Sequence, residues 1–312
     1  MEDGAGENYF RAHGLGNDYL VFPSGGAWPL TPAAIQEVCH RGRGLGSDGV
    51  VLELPPREGV FRLRMFNPDG SEFERSGNGL RIFAASLATV GRVGREPFLV
   101  EVGGGRVMMQ VLGKAAGGTL DVKVEMGQAS FHPDDVGMVT SLLEGWAGGV
   151  AGPPAEAGAA LPGSGGALLH LQDGPVPIRG VSVGNPHCVV FTEDLSGAAL
   201  RRLGPFLASH PVFPRGANVQ LARRTGENRV RIAIWERGVG RTPASGTSSC
   251  AVAAAAVLEG RVTPGAVTVE MDGGTLEVGV TPDLEITLRG PVQEVSRGTL
   301  APGYLEWLRE RG

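Results

Sequence analysis

Residues 76–93 read SGNGLRIFAASLATVGRV, and residues 245–262 read SGTSSCAVAAAAVLEGRV. The two stretches lie 169 residues apart, open on Ser-Gly, close on Gly-Arg-Val and agree at seven of eighteen positions. Each follows an alternating strand pattern (FRLRMF at 61–66, RVRIAIWE at 229–236) and a glycine-rich loop. Alanine suits any buried helix, so composition alone brings some likeness. Length, flanking strand and terminal Gly-Arg-Val agree as well, which marks a duplicated strand–loop–helix unit. A chain that carries such a unit twice is constrained to fold as two like halves, each with a small-residue helix buried at its centre.

The helix starts also carry a chemical implication. A helix N-terminus leaves backbone N–H groups without partners and is the positive end of the helix dipole. Two such ends facing one another across a cleft make a cradle for a carboxylate. The leading serines, Ser76 and Ser245, then stand on opposite sides of the carbon that bears it. This arrangement suits removal of a proton from one face and its return on the other.

Composition narrows the function by exclusion. The formal net charge of -5 supplies no basic field for nucleic acid or an anionic membrane. No apolar run is long enough to span a bilayer. The start, MEDGAGENYF, lacks the basic and apolar regions of a signal peptide. The three cysteines (Cys39, Cys188, Cys250) have no metal-like spacing, and the expected location is a reducing cytoplasm. The two lysines are Lys114, in a turn-like VLGKAAGG, and Lys123, in the strand-like TLDVKVEM. Neither suits a pyridoxal Schiff base. With no dinucleotide loop in a βαβ unit either, the expected cofactor requirement is none.

Further strand patterns are PFLVEVG (97–103), RVMMQVLG (106–113), TLDVKVEM (119–126) and VSVGNPHCVVF (181–191). VTVEMDGGTLEVGV (267–280) reads as a hairpin turning at Asp272-Gly273-Gly274. LEITLRG and PVQEVSRG read as two closing strands. TPAAIQEVCHRG (31–42) and LSGAALRRLGPFLASH (195–210) read as helices, the first with a Thr cap and Pro in its first turn. The low-complexity run GGVAGPPAEAGAALPGSGG (148–166) reads as a mobile surface loop.

These residues resemble the diaminopimelate epimerases, and the resemblance covers nearly the whole chain. It rests on HGLGNDYLVF (13–22), RGRGLGSDGVVL (41–52), MFNPDGSEFERSGNGLR (65–81), GNPHCVVF (184–191), ANVQ (217–220) and WERGVGRTPASGTSSCA (235–251), in that order. By position it implies substrate contacts at Asn17, Asn67, Asn185, Asn218, Glu236 and Arg237, and a backbone carboxylate cradle at Gly77, Asn78, Gly246 and Thr247. His187 and Glu236 match residues that flank the two catalytic bases. Taken singly, each has a plain reading. Asn67-Pro68-Asp69-Gly70 is also a good type I turn, and Asn185-Pro186 a turn starter.

One departure bears on the reaction. The family's two bases are cysteines, and here those positions are Ser76 and Ser245. A thiol titrates near about 8.5, whereas a serine hydroxyl is closer to water, at about 15.7. The gap of about seven units corresponds to roughly 10 kcal/mol, and a helix dipole supplies about 2 kcal/mol at best. Two unaided serines are not credible bases for an amino-acid α-proton. Three readings stay open: serines introduced to trap a ligand, an isomerase whose base is His187 or Glu236, and an amino-acid-binding protein without turnover. Arg241 where the family usually has Glu, and Ile82 where it often has Cys, look like natural drift. The related phenazine-biosynthesis fold works with an acidic residue and no cysteine pair. Cys250 lies more than a turn into its helix and reads as a structural thiol.

The resulting expectation is an α+β protein of two pseudo-symmetric domains, each a mostly antiparallel curved sheet around a central helix. The domains are expected at 1–124 plus 290–312, regaining the last strand, and at 125–289. The expected activity is epimerisation of LL- to meso-diaminopimelate or a related amino acid, with catalytic residues among Ser76, Ser245, His187 and Glu236. The expected partner is a small-molecule amino acid, with no nucleic acid or membrane, and a homodimer is left open.

Overall fold

The computed structural model describes residues 8–26, 29–143, 166–171 and 174–311. The low-complexity run at 148–166 lies outside them except for Gly166, which opens a strand. Six α-helices occur among the described residues: α1 (Pro32–Cys39), α2 (Gly77–Thr89), α3 (Pro133–Val136), α4 (Gly197–Ala208), α5 (Gly246–Leu258) and α6 (Pro302–Arg311). The chain divides into two compact units, Met1–Glu125 with Gly290–Gly312, and Met126–Arg289.

In the first unit, strand Asn8–Gly14 pairs antiparallel with Asn17–Phe22, which runs parallel to Val50–Arg57. The latter turns back antiparallel along Val60–Phe66, whose parallel neighbour is Phe98–Val102. Antiparallel pairing then leads through Gly105–Lys114 to Leu120–Gln128. Period-two alternation explains the last two strands: Val107, Met109, Val111, Val122, Val124 and Met126 are buried, and the residues between them are more exposed. Helix α2 is buried from Gly77 through Leu87. A helix covered on every side needs small residues where strands approach it, which accounts for its Gly-Ala-Ser composition. A second core lies between α1, α6 and the strands, with Ile35, Val38, Leu305 and Leu308 at its centre.

The second unit repeats this order of neighbours. Gly174–Ser182 is antiparallel to Pro186–Phe191, which is parallel to Asn218–Gly226. Arg229–Glu236 follows antiparallel, with Gly265–Met271 as its parallel neighbour. Gly274–Val280 and the start of Glu285–Thr299 complete the series antiparallel. Helix α5 is buried at Gly246 and from Ser248 through Leu258. Most pairings in each unit are antiparallel, and α2 and α5 occupy the same 13 places of the duplicated unit.

Three sequence expectations are corrected. VSVGNPHCVVF is two strands and not one: the chain turns at Gly184, whose φ is +96°, with Val183 N–H directed at the Asn185 carbonyl (3.4 Å). The run reads as continuous because the segments that flank the turn, Ile178–Ser182 and His187–Val190, are buried at every position and give no in-and-out alternation. LEITLRG and PVQEVSRG are one strand, Glu285–Thr299, since proline's fixed φ is compatible with extended chain. The closing segment of the first unit holds a helix, α6, as well as a strand. Lys114 ends a strand and is exposed.

Candidate active site

Both helix starts are built alike. Ser76, in extended conformation, accepts the Gly79 N–H at its hydroxyl (3.1 Å) and the Leu80 N–H at its carbonyl (2.9 Å). Ser245 does the same for Ser248 (3.5 Å) and Ser249 (3.1 Å). Serine favours this position because its oxygen satisfies one of the helix's orphan donors. The N–H groups of Gly77 and Asn78 in α2, and of Gly246 and Thr247 in α5, are not used by these caps. They are the donors that a carboxylate at a helix N-terminus would take.

In the first unit a chain of amides of fixed polarity surrounds the start of α2. Arg81 is fully buried and can only donate; its Nη2 meets Asn78 Oδ1, and its Nη1 donates to the Gly77 carbonyl (3.3 Å). Asn78 Nδ2 therefore points to Asn17 Oδ1 (2.9 Å), and Asn17 Nδ2 donates to Asp48 Oδ2 (3.1 Å). Asp48 is tied through Arg41 (2.7 Å) to Asp18, which Arg11 also clasps (2.6 Å). Burial works against the charge on Asp18, but bonds from Arg41 and Arg11 prevail and hold its carboxyl below the ordinary range. Asn67 is not part of this chain. It stays within its own turn, with Nδ2 bonded to Ser71 Oγ (3.0 Å).

The second unit brings together Asn185, His187, Asn218, Arg237 and Ser245. The His187 ring is fully buried, and desolvation, with the Arg237 charge adding to it, lowers its pKa to about 3. His187 is thus neutral, and its neighbours settle the tautomer. The Gln220 amide nitrogen can only donate, so His187 Nδ1 is the acceptor (3.1 Å). His187 Nε2 carries the proton and donates it to Asn185 Oδ1 (2.9 Å). The second Gln220 N–H goes to Ser248 Oγ (2.9 Å), on the first turn of α5. Asn218 Oδ1 accepts the Arg237 backbone N–H (2.9 Å), and Arg237 Nη1 donates to the Arg215 carbonyl (2.7 Å). Glu236 ends strand Arg229–Glu236 and is half-buried, its backbone opposite Gly240.

Sequence reasoning passed over Asp48, Arg81, Gln220 and Ser248. All four lie inside the quoted motifs, but only strand register and burial reveal that their side chains meet the candidate residues. Cys250 is buried in α5, and Cys39 and Cys188 are also buried. No helix among the described residues is long and apolar enough to cross a membrane.

The fold is that of the epimerases and racemases built from two like halves. The structure of a hydroxyproline epimerase from Agrobacterium vitis superposes with a TM-score of 0.64 at 17% identity, over 97% of this chain and 94% of that one. At the sequence level, the diaminopimelate epimerase family model matches residues 9–132 and 180–295. Diaminopimelate epimerase 2 of Nostoc sp. is 38% identical over 94% of this chain and 95% of its own length. The diaminopimelate epimerase of Moorella thermoacetica is 36% identical over 93% of this chain and 98% of its own. The chain belongs to the diaminopimelate epimerase family and is an isomerase of the epimerase class.

Proposed function

We propose that the protein is a cofactor-independent isomerase that inverts the α-carbon of a diaminopimelate-like amino acid, LL to meso. The observation that carries this reading is the recurrence, at the same place of both units, of a serine-capped helix whose first two N–H groups its cap does not use. We assign carboxylate binding to the N–H groups that open each helix, those of Gly77 and Asn78 in α2 and those of Gly246 and Thr247 in α5. The side chains of Asn17, Asn67, Asn185, Asn218 and Arg237 then receive the polar remainder of the amino acid.

An α-proton must pass to a group that ionises within reach of neutral pH. Ser76 and Ser245 fail this requirement by about seven pKa units against a thiol, and both hydroxyls already accept helix N–H groups. His187 is disqualified by geometry, because each ring nitrogen is spent on a neighbour. Glu236 is the remaining ionisable residue of the four candidates, and it takes the role of base in this reading. The serines act as caps and hydrogen-bond partners.

Incubating the protein with LL-diaminopimelate in deuterium oxide tests the proposal. The wild type should incorporate deuterium at an α-carbon and form the meso isomer, and Glu236→Gln should stop both. Binding without exchange would instead establish an amino-acid-binding homologue, the reading that the two serines favour.

A further inference from the structure

We propose that Gln220 is a positioning residue: its amide fixes the His187 tautomer, and the ring in turn fixes the Asn185 amide, so that Asn185 offers a ligand only N–H donors. This deepens the proposed function and rests on it for the identity of the ligand.

Gln220 is fully buried on strand Asn218–Gly226, which runs parallel to Pro186–Phe191 with His187 opposite Asn218. That register places Gln220 between the His187 ring and the first turn of α5. Its Nε2 has two protons, one for His187 Nδ1 and one for Ser248 Oγ, and both are spent. Its Oε1 has no partner among the described residues. Reversing the amide would turn Oε1 to both neighbours and leave two buried N–H groups stranded. One stranded carbonyl costs less than two stranded donors, because orphaned buried N–H groups are the rarer and dearer case. The orientation of Gln220 is thereby set, and with it the location of the imidazole proton.

The consequence passes outward by donor and acceptor logic. A proton on His187 Nε2 holds Asn185 by its carbonyl oxygen. What Asn185 retains is its NH₂ group, which complements a carboxylate and repels an ammonium. Through Ser248, whose N–H faces Ser245 Oγ, the same network is tied to the cap of α5. The Asn185 amide and the helix start are thus set by one buried glutamine.

Imidazole ¹⁵N spectroscopy tests this on the whole protein, with the His187 signals identified by their loss in His187→Gln. Wild type should show protonated Nε2 and bare Nδ1 between pH 5 and 8. Gln220→Glu keeps the shape but presents an acceptor, and should protonate Nδ1 as well. Gln220→Met removes both donors and should release the ring to a mixture of tautomers. In α-proton exchange with LL-diaminopimelate, Gln220→Met should raise KM about tenfold, the size expected for one misdirected hydrogen bond to a charged group, with kcat changed less. Gln220→Met combined with Asn185→Ala should lose no more than Asn185→Ala alone. A wild-type ring protonated at Nδ1, or one unchanged in Gln220→Glu, overturns the proposal. If Gln220→Met fails to fold, the wild-type and Gln220→Glu spectra still decide. Absence of exchange in wild type would refute the proposed function and leave the spectra to judge Gln220 independently.

Discussion

Replacing Ser76 and Ser245 together by cysteine sets two effects against each other, and both have calculable sizes. The first is structural. Each serine oxygen caps a helix, Ser76 at 3.1 Å and Ser245 at 3.5 Å, and sulfur is a weak acceptor in its place. Loss of a good cap costs about 1 kcal/mol, and the longer Ser245 bond contributes about half of that. The loss of about 1 kcal/mol falls on the first unit and about 0.5 kcal/mol on the second, which lowers their Tm by about 2–4 °C and about 1–2 °C for units of this size. The second effect is catalytic. A thiol at a helix N-terminus titrates near or below about 8.5, which removes most of the gap of about seven units that disables a hydroxyl. General acid–base participation is worth about 100-fold or more, so conversion of LL-diaminopimelate should accelerate by at least that factor while binding stays nearly unchanged. Thermal unfolding and α-deuterium incorporation, measured on wild type and double variant side by side, read the two effects separately. A wild type as fast as the cysteine variant would refute the acidity argument. A cysteine variant that binds but stays inert would show that the protein serves another substrate.

Other outcomes follow from single residues. His187 is neutral in the folded chain down to about pH 3, whereas an unfolded chain takes up that proton near the ordinary imidazole value of 6.5. Its contribution to stability is complete above pH 6.5 and is lost at about 1.4 kcal/mol per unit as pH falls through that window; denaturant titrations of His187→Gln should lack this slope. Arg237→Ala should weaken binding of LL-diaminopimelate by at least about tenfold in calorimetry, through loss of a charge-assisted bond. Gly70→Ala should destabilise, because φ is +82° and the added Cβ falls 2.5 Å from Pro32 Cα; urea unfolding should show a loss of about 1–3 kcal/mol. Burial pushes the Cys39 thiol up to about 11 and raises Cys188 as well; a thiol reagent at pH 8 should leave both unlabelled until the chain is unfolded.

The duplicated helix was legible because its signals are local: a serine cap, small residues throughout and a terminal Gly-Arg-Val. Both α2 and α5 begin immediately after that serine. The turn at Gly184 was not legible, since an apolar run buried on both faces looks the same with or without a reversal. Gly290-Pro291 misled in the opposite sense, as a break signal inside a continuous strand. In the site, the residue types could be named from motifs, but their polarity could not. Gln220 and His187 are 33 residues apart and meet only because two parallel strands align. The direction of every amide in that network depends on neighbours of this kind.

Strand Glu285–Thr299 bears on the order in which the protein is made. Its later residues, from Gln293 to Thr299, pair with the opening strand Asn8–Gly14, and Leu305 and Leu308 of α6 complete the core around α1. The unit that is synthesised first therefore lacks one ladder and part of its apolar filling until the ribosome has passed residue 308. The unit from Met126 to Arg289 has all its own strands before then. The usual rule that domains mature from the N-terminus during synthesis is reversed, and strand Asn8–Gly14 waits with an unpaired edge until residues 293–299 have been made. Such an edge is a template for aggregation. Loss of the last twenty-odd residues would injure the beginning of the chain more than its middle.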